Sequence, residues 1–311
     1  MNTVPLGFWI SFNALILCLL ALDLFVFHRK AHAISVREAA WTSAVWIGLS
    51  CLFGAWVWHI RGPARGLEFF TGYLIEYSLS VDNIFVFVLL FSYFRVPVET
   101  QHRVLFWGVL GALVMRGTMI ALGSALISQF HWVLYLFGGF LVYTGVKMLL
   151  HREEEELNPE KNPLLAYARR HLPLTEAYEG SRFAVRRGGR LLFTPLMLVL
   201  IMVESTDLIF AVDSIPAIFA VTQDSFIVYT SNICAILGLR SLYFLLARVV
   251  HKFIYLKTGL SIVLTFIGCK MLLADFYKIP TGLSLLVVGA VLGITVALSL
   301  LKNRNQGPPG R

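Results

Sequence analysis

FTPLMLVLIMVESTDLIFAVDSIPAIFAV, residues 193–221, is long and apolar enough to cross a bilayer, yet it holds Glu204, Asp207 and Asp213, with Ser214 beside the last. A second stretch, FFTGYLIEYSLSVDNIFVFVLLFSYF (69–94), carries Glu76, Asp82 and Asn83 in the same kind of setting. An acid at the centre of a spanning helix costs about 2.5–3.5 kcal/mol on insertion scales, so five of them oppose insertion by roughly 12–17 kcal/mol. Residues placed at that cost mark an ion or proton pathway.

Around these stretches the chain is 58% hydrophobic and only 14% charged, which sets it apart from soluble proteins. Apolar runs predict nine spans: 6–27, 41–60, 69–94, 104–127, 133–150, 192–221, 226–250, 253–276 and 279–301. The fold expected is an all-α polytopic membrane protein with about nine transmembrane helices. The N-terminal run has basic residues after it and none before it, the reverse of a cleaved signal, so it reads as a retained first span.

With the N-terminus outside, nineteen of the 26 Lys and Arg residues fall in inner segments and three (Arg61, Arg65 and Lys278) in outer ones. That positive-inside bias explains the net charge of +8 without a nucleic-acid partner. It predicts a multi-pass protein of the cytoplasmic (inner) membrane, N-terminus out and C-terminus in. Cys18, Cys51, Cys234 and Cys269 are scattered over separate spans and read as small buried apolar residues.

The two acidic stretches are copies. SVDNIFVF (80–87) overlies STDLIFAV (205–212), which aligns Asp82 with Asp207. Arg116 then aligns with Arg240, and GVKMLL (145–150) with GCKMLL (268–273), matching Lys147 to Lys270. Each copy has three spans, and an odd number reverses direction, so the repeats are inverted, as in many transporters. Asp82 and Asp207 each lie roughly 20 Å along their spans, at comparable depth.

The organisation predicted is two N-terminal helices (1–68), a first repeat (69–150), a cytoplasmic linker (151–191), a second repeat (192–276), and a last helix with its tail (277–311). The linker opens on Glu153 to Glu156 and closes on RFAVRRGGR, and reads as a solvated segment with some amphipathic helix.

Glu76, Ser80 and Asn83 share one helical face. Glu204 and Asp207 share another, with Asp213 opposite Glu204, so a straight helix cannot aim all three acids at one ion. A kink at Pro216 would re-aim Asp213. The donors are carboxylate, amide, hydroxyl and carbonyl oxygens, with neither imidazole nor clustered thiolate, a set that suits Mg, Ca or Mn. Six intramembrane acids (the five above and Asp23) against four bases leave a net −2, which one divalent cation balances. Arg116 and Arg240 read as structural counter-ions. The candidate metal residues are Glu76, Asp82, Asn83, Glu204, Asp207, Asp213 and Ser214. No nucleophile elbow, phosphate loop or zinc spacing points to an enzyme.

At these residues the chain resembles the TerC family of integral membrane proteins, in its Alx-like bacterial branch. The resemblance is carried by FFTGYLIEYSLSVDNIFVF, GVLGALVMRGTMI, SQFHWVLYLFGGFLVYTGVKM, TPLMLVLIMVESTDLIFAVDSIPAIFAVT, SNICAILGLRSLYFLLA and GCKMLLADFYKIP. It implies a place in the LysE transporter-like superfamily and links to tellurite resistance, alkaline-pH response and manganese efflux. The family's intramembrane acids fall on Glu76, Asp82, Glu204, Asp207 and Asp213. The function expected is export of a divalent cation, Mn2+ above others, by alternating access, with proton exchange at some acids as a coupling route. Mn2+ would be cargo, not a resident cofactor. A membrane scaffold or partner subunit without transport of its own is the alternative reading, and export of an amino acid or oxyanion a third.

Overall fold

The computed structural model describes residues 4–22, 35–130, 132–150, 163–247, 253, 255–277 and 279–305, apart from the side chains of Asp82 and 303–305. Asp23 and the acidic run at 153–156 lie outside the described residues.

The chain is a bundle of helices with one short hairpin. Five helices precede the linker: α1 (Leu6–Leu22), α2 (Val36–Arg61), α3 (Pro63–Tyr93), α4 (Val98–Gln129) and α5 (Val133–Leu150). A short α6 (Pro163–His171) and the hairpin of β1 (Ala184–Arg187) and β2 (Arg190–Phe193) follow. The chain closes with α7 (Pro195–Phe219), α8 (Ser225–Leu237), α9 (Leu239–Leu246), α10 (Leu256–Leu272) and α11 (Thr281–Asn305).

Local signals set the helix starts. Ser35 caps α2 by accepting from the Glu38 amide, and Asp224 caps α8 by accepting from the amides of Phe226 and Ile227. Pro63 and Pro195 occupy first-turn positions of α3 and α7, where a missing N–H costs nothing.

Among the described residues, seven helical segments are long and apolar enough to cross a membrane: α2, α3, α4, α5, α7, the α8–α9 pair (Ser225–Leu246) and α11. Two of the nine expected spans fall short of that length. Of the first, Leu6–Leu22 is helical before the described residues stop, and the eighth contracts to Leu256–Leu272. Large apolar side chains face outward along the bundle, among them Trp41, Leu52, Leu136, Tyr143, Leu286 and Ile294. In a bilayer they meet lipid, while every helix satisfies its own backbone. Cys18, Cys51 and Cys269 also face outward and only Cys234 is buried, which corrects the reading of all four as core residues. In lipid an outward thiol needs no protein cover.

The packing order positions the site. α3 lies against both α7 and α8, α4 likewise lies against both, and α5 pairs with α10. Glycines let α5 and α10 approach: a Cβ on Gly268 would stand 2.7 Å from the Gly138 carbonyl oxygen and 2.8 Å from the Val142 nitrogen. Aromatic rings of α1 and α2 (Phe8, Phe12 and Phe53) pack against Phe226 or Tyr229 of α8 or against Phe69 of α3, and Trp56 packs on Phe8 and Phe53.

The linker is more structured than a solvated segment. α6 buries Leu165 and Ala168 and packs on α7, and the hairpin turns through Gly188 and Gly189 at φ 56° and 79°, which only glycine adopts freely. The boundary placed at 192 falls inside β2. Tyr178 donates to the Phe94 carbonyl at 2.7 Å and Arg103 donates to Ser181 at 2.9 Å, fastening this module to one end of α3 and α4. Burial pushes the Tyr178 hydroxyl above its ordinary pKa, so it stays a donor.

Candidate functional site

The centre of the bundle is organised by Arg116. It rises from the middle of α4, is fully buried, and points at α3, α7 and α8. Its Nε and Nη2 donate to the two carboxylate oxygens of Asp207 at 3.0 and 2.9 Å, a bidentate fork. Its Nη1 donates to Glu76 and lies 3.3 Å from the Ser214 hydroxyl and 3.4 Å from the Asn232 side-chain oxygen. The Asn232 amide donates to the other Glu76 oxygen at 3.0 Å. Four helices are thereby tied through one guanidinium. Unpaired, either carboxylate would cost several kcal/mol at this depth.

Beside this network opens a cavity of about 120 Å3, well above the roughly 10–15 Å3 that a single water requires. Its polar lining is Glu76, Asn83, Arg116, Asp213 and Ser214; its apolar wall includes Leu79, Met148, Phe210 and Leu264. Asn83 is 1% exposed, and its side-chain oxygen has no hydrogen-bond partner among the described residues. The Ser80 hydroxyl, one turn earlier, is also buried and unpartnered. A buried carbonyl oxygen without a donor is costly in protein alone and is relieved by a cation or water.

The sequence-predicted residues therefore separate into groups. Glu76, Asn83, Asp213 and Ser214 meet at the cavity, and Asp213 accepts from Thr144 of α5 at 3.5 Å. Asp207 turns away to hold Arg116. Glu204, half-buried, lies against Gly111 of α4, where a Cβ would fall 1.9 Å from its Oε1. The side chain of Asp82 lies outside the described residues, although its backbone continues α3. Arg240 is 7% exposed on α9 and borders a smaller void of about 10 Å3 together with Asp207.

Among the described residues no three His, Cys, Asp or Glu side chains converge as a metal cluster. The acids of α7 radiate to different neighbours, as their helical spacing requires, and α7 runs unbroken through Pro216 to Phe219. Asp213 meets Thr144 of α5, while Glu204 lies against Gly111 of α4.

Two residues of this centre, Asn232 and Thr144, were not singled out from sequence. Asn232 is an amide within SFIVYTSNICAIL, the same class of signal as Asn83, but its segment carries no acid to draw attention. Thr144 gives no such signal, because a threonine on an apolar helix ordinarily bonds its own backbone.

At one end of the bundle, about 12 Å along α3 from Glu76, lies a second polar cluster. Arg61 pairs with Asp224 at 2.8 Å and Arg65 with Glu68 at 2.7 Å, and the Thr222 hydroxyl donates to Glu68 at 2.6 Å. It joins the start of α3 to the turn between α7 and α8.

Comparison with known proteins places the chain. It is 55% identical over 299 residues to an uncharacterized membrane protein, STKORF319, of Myxococcus xanthus, covering 96% of this chain and 93% of that one. It is 52% identical over 314 residues to a protein of Escherichia coli strain K12 bearing the name "Putative membrane-bound redox modulator Alx", with 97% of each chain covered. An uncharacterized membrane protein of Rickettsia felis is 40% identical over 294 residues, covering 94% and 97%. No solved structure matches. The model of the integral membrane protein TerC family matches residues 61–307, which take in the whole Arg116 network and its cavity. The chain is a multi-pass membrane protein and belongs to the TerC family.

Proposed function

We propose that this protein is a carrier, not an enzyme, that exports a divalent cation, Mn2+ above others, across the cytoplasmic membrane. The observation that carries the reading is the cavity in which Glu76, Asp213, Ser214 and the unpartnered oxygen of Asn83 meet at the centre of the bundle. All four offer oxygen, the donor of hard divalent ions. Asp207 holds Arg116 in place, and Glu204 and Asp82 flank the centre as relay groups. Proton exchange at these acids is the coupling route.

Alternating access needs two halves that rock against each other. In this reading the halves are the inverted repeats 69–150 and 192–276, within nine spans running N-terminus out to C-terminus in. The packing supports the two-fold relation. Exchanging α3 with α7 and α4 with α8 turns the α3–α8 contact into the α4–α7 contact, and α5–α10 maps onto itself. The cluster of Arg61, Arg65, Glu68 and Asp224 then closes the outer side, and the hairpin module lies inside.

The test is manganese accumulation in cells carrying Asp213→Asn, Asp207→Asn or Asp82→Asn. Each variant should reach the membrane and let cellular manganese rise to the level of cells lacking the protein. Variants that still keep manganese low would show the site to be wrong. Absence of Mn2+ movement by the native protein in liposomes would favour the scaffold reading.

A further inference from the structure

A permanent cation sits among the oxygens assigned to the cargo. The Nη1 of Arg116 has two protons to give, yet three oxygens surround it: Glu76 Oε1, Ser214 Oγ at 3.3 Å and Asn232 Oδ1 at 3.4 Å. More acceptors than protons is the setting of a cation in an oxygen cage. The opposite edge of the same guanidinium is held by both oxygens of Asp207. Arg116 is therefore anchored on one side and exchangeable on the other. Glu76 and Ser214, its partners on the exchangeable side, also line the cavity that Asn83 and Asp213 complete.

We propose that Arg116 is a tethered counter-cation that competes with the cargo for Glu76 and Ser214 and so sets how readily the cargo leaves. This rests on the reading of the cavity as a cation site. Three acids (Glu76, Asp207 and Asp213) face one fixed positive charge, which leaves −2 for a divalent ion to match. When the ion enters, Glu76 turns to it and Arg116 keeps Asp207 alone. When the ion departs, Nη1 returns to Glu76 and spares the carboxylate an unpaired state in the bilayer. Repulsion between guanidinium and ion keeps binding weak enough for release, a requirement of any conducting or carrying site. A plain structural clamp would need neither the third oxygen on Nη1 nor the adjoining cavity.

Mn2+ binding to the full-length protein in detergent, read from loss of the free-ion paramagnetic resonance signal, tests the idea. Asp207→Asn serves as the reference background, so that removing Arg116 does not strand two carboxylates. Adding Arg116→Gln to it should tighten Mn2+ binding at least tenfold. Arg116→Lys in the native background keeps the charge but loses the fork to Asp207, and should bind Mn2+ more weakly than the double variant. Equal or weaker binding by the double variant overturns the proposal, as does an Arg116→Lys protein that binds as tightly as the double variant. If native protein and variants alike bind no Mn2+, the cation-site reading falls and the proposal with it. A failure confined to the Arg116 comparisons leaves that reading standing.

Discussion

α4 and the α8–α9 pair carry the two arginines that align in the sequence, Arg116 and Arg240, but they are built differently. α4 is one unbroken helix from Val98 to Gln129 with Arg116 near its middle. Its counterpart is interrupted at Gly238, two residues before Arg240, and is buried over nearly its whole length. A continuous helix fixes an arginine's position through its backbone ladder. An arginine just after a break rides on an eight-residue segment that the ladder does not brace. The comparison sets a continuous helix, the rigid side, against an interrupted one. Helix interruptions of this kind are common where transporters change shape.

The largest effect should come from the rigid side. Arg116→Leu strands Glu76 and Asp207 without a counter-charge and should cost about 3–5 kcal/mol, read as a steep loss of thermal stability in detergent. Native-like stability would mean that the network is not what holds α3, α4 and α7 together. Asn232→Leu removes the donor to Glu76 from α8. It should cost about 1.5–3 kcal/mol, the range for a hydrogen bond to a charged group.

Two glycine-to-alanine changes then set the interrupted helix against the continuous one. Gly238→Ala meets its nearest neighbour, a ring carbon of Tyr77, at 3.6 Å and has ordinary helical geometry, so it should stabilise by about 0.5–1 kcal/mol. If the break serves movement, Mn2+ transport should slow as stability rises; an unchanged rate would remove the break from the cycle. Gly111→Ala on α4 drives a methyl into the Glu204 carboxylate. Its stability change should stay within about 1 kcal/mol, because the helix propensity gained offsets the displaced side chain. Manganese efflux measured beside it reports whether Glu204 takes part.

Much of the membrane architecture was legible in residue order. Hydropathy located the seven membrane-length segments found among the described residues, and a polar atom in lipid is costly enough that Glu76, Asn83, Asp207 and Asp213 stood out. Helix ends were less legible, since 226–250 reads as one run and gives no sign that the ladder breaks at Gly238. The hairpin at 184–193 was missed because its alternation spans only four residues per strand, too few to stand out beside a charge run.

Sequence by itself determined that the chain crosses the membrane repeatedly and that acids and arginines recur in register. Both follow from local properties, hydropathy and order along the chain. Only the tertiary structure decided which acid meets which base. Glu76 and Asp207 lie on different helices and share one guanidinium, while Asp213, six residues from Asp207, faces a different helix altogether. Helical periodicity says which side chains share a face; what each face meets depends on how close the neighbouring helices can pack.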